Sequence, residues 1–225
     1  MNSIPVSQLP AKKLLREAVH AQLRTDILSC RIPPGAEIRE AELATRFAVS
    51  KSPVRDALMH LEREGLVISS PRQGYRVSPV SLSDVQDMFH LRSVLERACM
   101  ERIVHLASDA QLAALDTFRH FDATQWEGGL VAYNRAFHGM LAELSHNKRM
   151  RDHINDLIDQ MERVVRVSLA NIRQESPASP VGEHCQIIDA LQGRKAKLAA
   201  RLAEQHIATA AHRVNDALSH RVIAS

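Results

Sequence analysis

Residues 49–66, which read VSKSPVRDALMHLEREGL, decide the fold of the N-terminal part of the chain. Ser50 or Ser52 can cap the start of a helix, because a serine oxygen accepts a hydrogen bond from an early amide that has no partner within the helix. Pro53 fits the first turn, where its missing N–H costs nothing, and Gly65 is a typical C-terminal stop. The apolar residues recur at helical spacing and predict one buried stripe: Val54, Ala57, Leu58 and Leu61.

The outward side of this helix carries polar groups that suggest a function. Lys51, Ser52 and Arg55 lie off the apolar stripe, so cations and hydroxyls face away from the core. A short helix divided in this way suits the DNA major groove. The alternative is a structural helix with a solvated basic side, which is what a charge pair alone usually means. The order of the neighbouring segments favours DNA binding.

The neighbouring segments complete a winged helix-turn-helix domain over residues 13–79, after a lead over residues 1–12 that we expect to be disordered. The pieces are an amphipathic helix near Lys13–Arg31, a short helix over Arg39–Phe47, and two β-prone runs, Leu66–Ser70 and Tyr75–Ser78, around the turn Pro71–Gly74. Three helices followed by a small hairpin predict this architecture.

Charge is distributed unevenly along the 225 residues, whose net charge is +3. Residues 1–80 carry a net charge of +4 and the remainder carries −1. A basic N-terminal region and a near-neutral C-terminal region are typical of a domain that binds a polyanion, joined to a second domain. No segment approaches the roughly 20 apolar residues of a membrane span, so we expect no membrane partner. The three cysteines, Cys30, Cys99 and Cys185, are scattered and unpaired by motif, which favours reduced thiols in a cytoplasmic protein.

The wording of the front region resembles the GntR family of bacterial transcription regulators. The matching pieces occur in the family's order: Glu40-Ala41-Glu42-Leu43-Ala44, Val49 to Leu58, Glu64-Gly65-Leu66-Val67 and Gln73-Gly74-Tyr75. The resemblance implies a homodimer on a near-palindromic double-stranded DNA operator. It implies DNA contacts from the helix and from the tip of the wing: Ser50, Lys51, Ser52, Arg55, Arg72, Gln73 and Gly74.

The chain departs from the family pattern at two positions. Lys51 stands where the family usually has arginine, and Ala41 stands where many members have an arginine that contacts DNA. Lysine cannot make the rigid two-pronged contact to guanine that arginine makes, so base readout at position 51 is expected to weaken or to shift towards phosphate. Arg55 is left as the strongest candidate for a specific contact.

The second half reads as an antiparallel helical bundle of about six helices over residues 84–222, after a linker at residues 80–83. Ser81 or Ser83 is expected to cap its first helix. The predicted segments lie near residues 83–107, 109–121, 127–145, 147–174, 181–192 and 195–221. The fold class is therefore mainly α: an N-terminal winged helix-turn-helix and a C-terminal all-helical bundle.

Polar residues on the inward stripes of the bundle are the informative ones. Asn134 and His138 share one stripe, while His184 and His206 lie on the stripes of two later helices. Arg92 lies inward on the first helix of the bundle, where a buried guanidinium needs an anionic partner. An inward histidine is usually just hydrogen-bonded in place. Several of them in one bundle, with a buried arginine, favour a metal site instead.

This half resembles the ligand-sensing FCD domain of the FadR branch of the GntR family, and six helices resemble the VanR-like subgroup. The resemblance implies a divalent metal, zinc or nickel, held by Asn134, His138, His184 and His206. It also implies a small organic acid that completes the coordination, with Arg92 on its carboxylate. Members carry aspartate or asparagine at this position. Asparagine at position 134 leaves the protein ligands neutral, which is expected to weaken metal affinity and to leave more positive charge for an anionic effector.

Two rival functions stay open at this stage. A metal-dependent hydrolase would need a general base beside the metal, and only Glu96, one turn from Arg92, stands near the inward stripes. No His-Glu-x-x-His motif and no Gly-rich phosphate loop occur in the sequence. We therefore expect no enzyme. The other rival is a metal-free dimeric DNA-binding scaffold whose histidines only fill the core.

Overall fold

A computed structural model describes residues 9–70, 74–169 and 178–222 of the chain. The chain divides into two compact units, Met1–Val80 and Ser81–Ser225. The first is a winged helix-turn-helix and the second is all-helical, which confirms the predicted fold class. No helix in the described ranges is long and apolar enough to cross a membrane.

The first unit contains three helices and a small antiparallel sheet. Its elements are α1 (Leu9–Leu28), β1 (Glu37–Ile38), α2 (Glu40–Arg46), α3 (Lys51–Arg63), β2 (Val67–Ser70) and β3 (Gly74–Val77). The strand order is β1-β3-β2. The four stripe residues of α3 are each 0% exposed, as the spacing predicted. They pack with Val19, Leu23 and Ile27 of α1 in one core cluster.

Three local features of this unit differ from what the sequence pattern indicates. Helix α1 begins at Leu9, inside the lead expected to be disordered, and ends at Leu28 instead of near Arg31, because the chain turns at Cys30, whose φ is +58°. Strand β1 was missed, since two residues are too few to show an alternating pattern. Ser50 occupies the N-cap position of α3, but its side chain makes no capping hydrogen bond.

The second unit contains six described α-helices and one 3₁₀ turn. They are α4 (Leu82–Leu106), α5 (Asp109–Ala113), the 3₁₀ turn (Ala114–Phe118), α6 (Gly129–Leu144), α7 (Lys148–Leu169), α8 (Ala178–Gln192) and α9 (Ala196–Val222). Helix α4 packs against α6, α7, α8 and α9. It therefore packs against each of the three other helices that carry a candidate ligand, α6, α8 and α9.

Side-chain caps mark the helix starts that the sequence predicted. Ser81 Oγ accepts from the amide of Asp84 at 3.1 Å. Ser108 and Gln111 form a reciprocal capping box at the start of α5. The segment predicted as helix over 109–121 tightens into the 3₁₀ turn after Ala113. The segment predicted over 147–174 is helical to Leu169, and residues 170–177 lie outside the described residues.

Candidate metal centre and DNA-binding surface

Three predicted metal ligands, from three helices, meet in the core of the bundle. His138 lies on α6, His184 on α8 and His206 on α9, with side chains 2%, 0% and 6% exposed. The Nε2 atom of His206 lies 3.2 Å from Nε2 of His138 and 3.3 Å from Nε2 of His184. The structure therefore aims one ring nitrogen of each histidine at a common point, and these atoms form a group with metal-ligand spacing.

A carboxylate from α4 holds the other ring nitrogen of His138. Glu96 Oε2 lies 2.9 Å from Nδ1 of His138, and Oε1 of the same carboxylate accepts from Arg92 Nε at 2.6 Å. Burial would raise the pKa of Glu96, but Arg92 and His138 outweigh it and hold that pKa well below its usual range. An ionised carboxylate only accepts, so Nδ1 of His138 carries the proton and Nε2 presents a lone pair.

A tyrosine hydroxyl holds the other ring nitrogen of His184, as Glu96 does for His138. Tyr133 on α6 donates its O–H to the carbonyl of Phe118 at 2.5 Å, and its oxygen lies 3.2 Å from Nδ1 of His184. Because that hydroxyl proton is already committed, the tyrosine oxygen accepts from Nδ1–H. The ring of Phe137 stacks on His184 with centroids 3.9 Å apart, which fixes the plane of the imidazole.

The carboxylate of Glu183 on α8 holds His206. Its Oε2 lies 2.6 Å from Nδ1 of His206, and its Oε1 accepts from Arg213 Nη2 at 2.9 Å. Burial would raise the pKa of Glu183, but the hydrogen bond to His206 and the charge of Arg213 outweigh it and lower that pKa. His206 therefore donates from Nδ1 as well.

The imidazoles of His138 and His184 are neutral near pH 7. Burial, reinforced by the charge of Arg92, lowers the pKa of His138 to about 4. Burial, reinforced by the neighbouring imidazoles, lowers the pKa of His184 far below its usual value. Neutral rings whose protons are held on Nδ1 direct lone pairs at one another, an arrangement that a shared cation stabilises.

This donor set fits a divalent metal. Zinc–nitrogen bonds of about 2.0–2.1 Å in a tetrahedral site place the nitrogens roughly 3.3 Å apart, and the observed separations are 3.2 and 3.3 Å. Outer partners that orient each ligating ring are typical of metal sites in proteins. The buried Oδ1 atom of Asn134, one turn before His138, has no hydrogen-bond partner among the described residues.

A cavity of about 130 Å³ opens beside the histidines. Arg92, Asn134, His138 and His206 line it, whereas His184 lies behind them. Arg92 is only 8% exposed, and its Nε is committed to Glu96. Its Nη1 lies 4.0 Å from the sulfur of Met161, a weak acceptor. The outer end of this guanidinium therefore has bonding capacity left for an anion in the cavity.

Four residues that support this site were not assigned to it from the sequence: Glu96, Tyr133, Glu183 and Arg213. The i,i+4 spacing of Glu96 from Arg92 is a local signal of their pairing, but it indicates at most a possible general base and no contact with His138. No local pattern indicates that Glu183 reaches His206, because the contact depends on how α8 packs against α9.

The predicted DNA-binding side of α3 is exposed, and its strongest candidate has a partner. Arg55 makes two hydrogen bonds, at 3.0 and 2.9 Å, to the carboxylate of Glu40 in the first turn of α2. The bond to Arg55 lowers the pKa of Glu40. Ser50, Lys51 and Ser52 are exposed around the start of α3. The guanidinium of Arg55 is thus held in one direction at the surface.

The predicted wing is only partly described. Arg72 and Gln73 lie outside the described residues. Gly74 opens β3 with a φ of +94°, and a Cβ there would lie 2.8 Å from the carbonyl oxygen of Ile38. A glycine is therefore required at this position for the approach of β3 to β1, whatever contact the wing makes with DNA.

Comparison with known proteins identifies both units. Residues 15–77 match the family described as "Bacterial regulatory proteins, gntR family", and residues 87–209 match the FCD domain. The chain is 27% identical to the HTH-type transcriptional repressor RspR of Escherichia coli, over 89% of each protein. It is 30% identical to the HTH-type transcriptional regulator YdhC of Bacillus subtilis, over 61% of this chain and 65% of that protein.

The solved structures agree on the fold. The chain is similar to E. coli McbR/YncC with a TM-score of 0.73 at 19% identity, over 89% of this chain and 96% of that one. At this identity the likeness concerns the fold alone. The family matches, in contrast, are to transcription regulators and cover both units.

Proposed function

We infer that the chain, which belongs to the GntR family of bacterial transcription regulators and carries an FCD domain, is a DNA-binding regulator and not an enzyme. We propose that its affinity for operator DNA is controlled by a small carboxylate that binds at a divalent metal in the bundle. Zinc is the proposed metal and nickel the alternative. We also propose that the protein acts in the cytoplasm as a homodimer.

The observation that carries the sensor proposal is the set of converging Nε2 atoms. Each of the three histidines has its Nδ1 held by Glu96, Tyr133 or Glu183, so its Nε2 is prepared to bind a cation. His138, His184 and His206 would hold the metal, and Asn134 would add its unpartnered oxygen. The metal would supply a positive charge that binds a carboxylate beside Arg92.

For the DNA-binding side we propose that Lys51, Ser52 and Arg55 contact base edges and phosphates, with Ser50 beside them. The wing residues Arg72, Gln73 and Gly74 would contact the backbone or the minor groove. Two copies of α3 in a homodimer would bind two half-sites, so the operator should be nearly palindromic.

Control requires that the acid discriminates between two arrangements of the protein. To change operator affinity by about 5–150-fold, the effector must bind one arrangement about 1–3 kcal/mol more tightly than the other. The buried position of the site suits this task, because a ligand there contacts residues of several helices at once.

The rival sites proposed from the sequence are less well supported by the contacts. A hydrolase needs a general base free to take a proton from substrate. Among the described residues, Glu96 and Glu183 are the carboxylates bonded to these histidines, and each is committed to a histidine and to an arginine. A metal-free scaffold does not need three lone pairs aimed at one point.

The test is an operator titration with and without metal and acid. An operator selected from random DNA would be titrated with tag-free protein, first treated with a chelator and then loaded with zinc. A panel of sugar acids, dicarboxylates, aromatic and aliphatic acids would follow. We expect at least one acid to change operator affinity about 5–150-fold in the zinc-loaded protein only. Operator affinity that is equal under every condition would contradict the sensor proposal.

A further inference from the structure

The cavity beside the histidines has mostly apolar walls and one end that carries hydrogen-bonding groups. Nine of the sixteen residues that line it are apolar, and six of these come from α4, α6 and α7: Phe89, Leu130, Val131, Ile158, Met161 and Val165. Hydrogen-bonding groups at the polar end are Arg92, Asn134 and the inward histidines. A ligand that fills this space must therefore place one polar end beside Arg92 and an apolar body against the walls.

Three further charged residues line the cavity, and each is already bonded to another protein side chain. Arg135 is paired with Asp159, Glu162 with Arg166 at 2.7 Å, and Arg213 with Glu183 at 2.9 Å. A ligand hydroxyl or second carboxylate would have to compete with these carboxylates and guanidinium groups. A polar group placed against the hydrocarbon walls would lose its bonds to water and gain none, which is unfavourable.

From this division we propose that the effector is a monocarboxylate with an apolar body of about five or six carbon atoms, and not a sugar acid or a dicarboxylate. The inference deepens the proposed function and rests on it. The size follows from the volume: an apolar protein cavity of about 150 Å³ binds benzene, and this cavity measures about 130 Å³. The carboxylate lies at Arg92, and the body contacts Phe89, Leu130 and Met161.

Three acids with the same six-carbon chain test the class. Hexanoate carries one carboxylate and no hydroxyl, gluconate adds five hydroxyls, and adipate adds a second carboxylate. Each would be titrated calorimetrically into the zinc-loaded, full-length protein. We expect hexanoate to bind and gluconate to bind at least about 100-fold more weakly, since a hydrophobic pocket discriminates by about that factor against a single added hydroxyl. Adipate should also bind more weakly than hexanoate.

The outcomes separate this inference from the proposed function. Gluconate or adipate binding as tightly as hexanoate would overturn the apolar class and leave the acid sensor standing. Failure of hexanoate to bind zinc-loaded protein would also overturn the apolar class, whereas the sensor proposal itself falls only if no acid of the wider panel changes operator affinity. Arg92→Gln supplies the second readout, and it should weaken hexanoate binding about tenfold or more, because the neutral amide loses the charge-assisted bond. Unchanged hexanoate affinity in that variant would show that the carboxylate does not lie at Arg92.

Discussion

The buried histidine site and the exposed side of α3 place their polar groups in opposite surroundings. In the bundle, each of the three site histidines is oriented by a second side chain, and no solvent is needed to satisfy its Nδ1 atom. On α3, Ser50, Lys51 and Ser52 are open to solvent, and Arg55 is held by a surface ion pair. A buried cation site must be organised before its ligand arrives, because an unsatisfied polar group there is costly. A DNA-binding surface can instead leave its polar groups to water until phosphates and bases replace it.

The largest effect is expected from Arg55→Ala, on the DNA-binding side of α3. The variant removes a guanidinium that we expect to reach a base edge, so operator affinity should fall about 100-fold or more. Thermal stability should barely change, since a solvent-exposed ion pair such as that with Glu40 contributes little to folding. Arg63→Ala, at the far end of the same helix, removes the same charge and is the control. Equal losses in the two variants, measured by gel shift, would contradict the assignment.

At the histidine site, Tyr133→Phe tests whether the hydroxyl group that orients His184 contributes to metal affinity. The variant leaves Nδ1 of His184 and the carbonyl of Phe118 without the hydroxyl they share. Loss of an outer partner typically weakens metal binding about 10–100-fold. Competition with a chromogenic chelator would measure it. Tyr75→Phe makes the same change in the first unit and should leave metal affinity unaltered. A Tyr133→Phe variant with wild-type metal affinity would refute the assigned proton on His184.

The two serines at helix N-caps are expected to differ in what they contribute to stability and to DNA binding. Ser81 accepts a capping hydrogen bond at the start of α4, whereas Ser50 makes none at the start of α3. Ser81→Ala should therefore lower the stability of the bundle by about 0.5–2 kcal/mol. Ser50→Ala should cost less in stability but weaken operator binding a few-fold, roughly one lost hydrogen bond to DNA. Thermal melts and gel shifts of both variants check this, and the reverse pattern would count against it.

The smallest expected effect concerns Glu40, whose carboxylate holds Arg55. Glu40→Gln should release the guanidinium and remove a negative charge near the DNA, so binding to unrelated DNA should tighten roughly threefold. The preference for operator over unrelated DNA should fall at the same time, because Arg55 is no longer oriented. Glu42→Gln on the same helix is the matched control, since Glu42 lies 3.7 Å from Arg39 and not at Arg55. Unchanged preference in Glu40→Gln would show that the ion pair does not orient Arg55.

The sequence predicted the parts of the fold that local patterns govern. Helical spacing identified the buried stripe of α3, and the capping serine identified the start of α4. Inward spacing also placed His138, His184 and His206 in the core. What it could not predict is which side chains meet across helices. Glu183 lies next to His184 in the chain but holds His206, and Tyr133 reaches His184 from another helix. These contacts depend on the packing of α6, α8 and α9.

The same limit applies to the DNA-binding side. The outward position of Arg55 follows from its place off the stripe, but its partner Glu40 lies on a different helix. Ser50 is a suitable capping residue by type, yet its hydroxyl makes no cap bond. Residue type and spacing therefore located the candidate contacts, while the orientation of each side chain required the structure.

The most direct test of the proposed metal site is the metal content of the full-length protein, purified without a histidine tag. Zinc would be added, the protein dialysed, and bound metal measured by mass spectrometry. We expect about one metal ion per chain in the wild type and almost none in His138→Ala/His184→Ala/His206→Ala, with circular dichroism as the check on folding. No metal in the wild type, or equal metal in the folded triple variant, would contradict the proposal that these three histidines bind a metal.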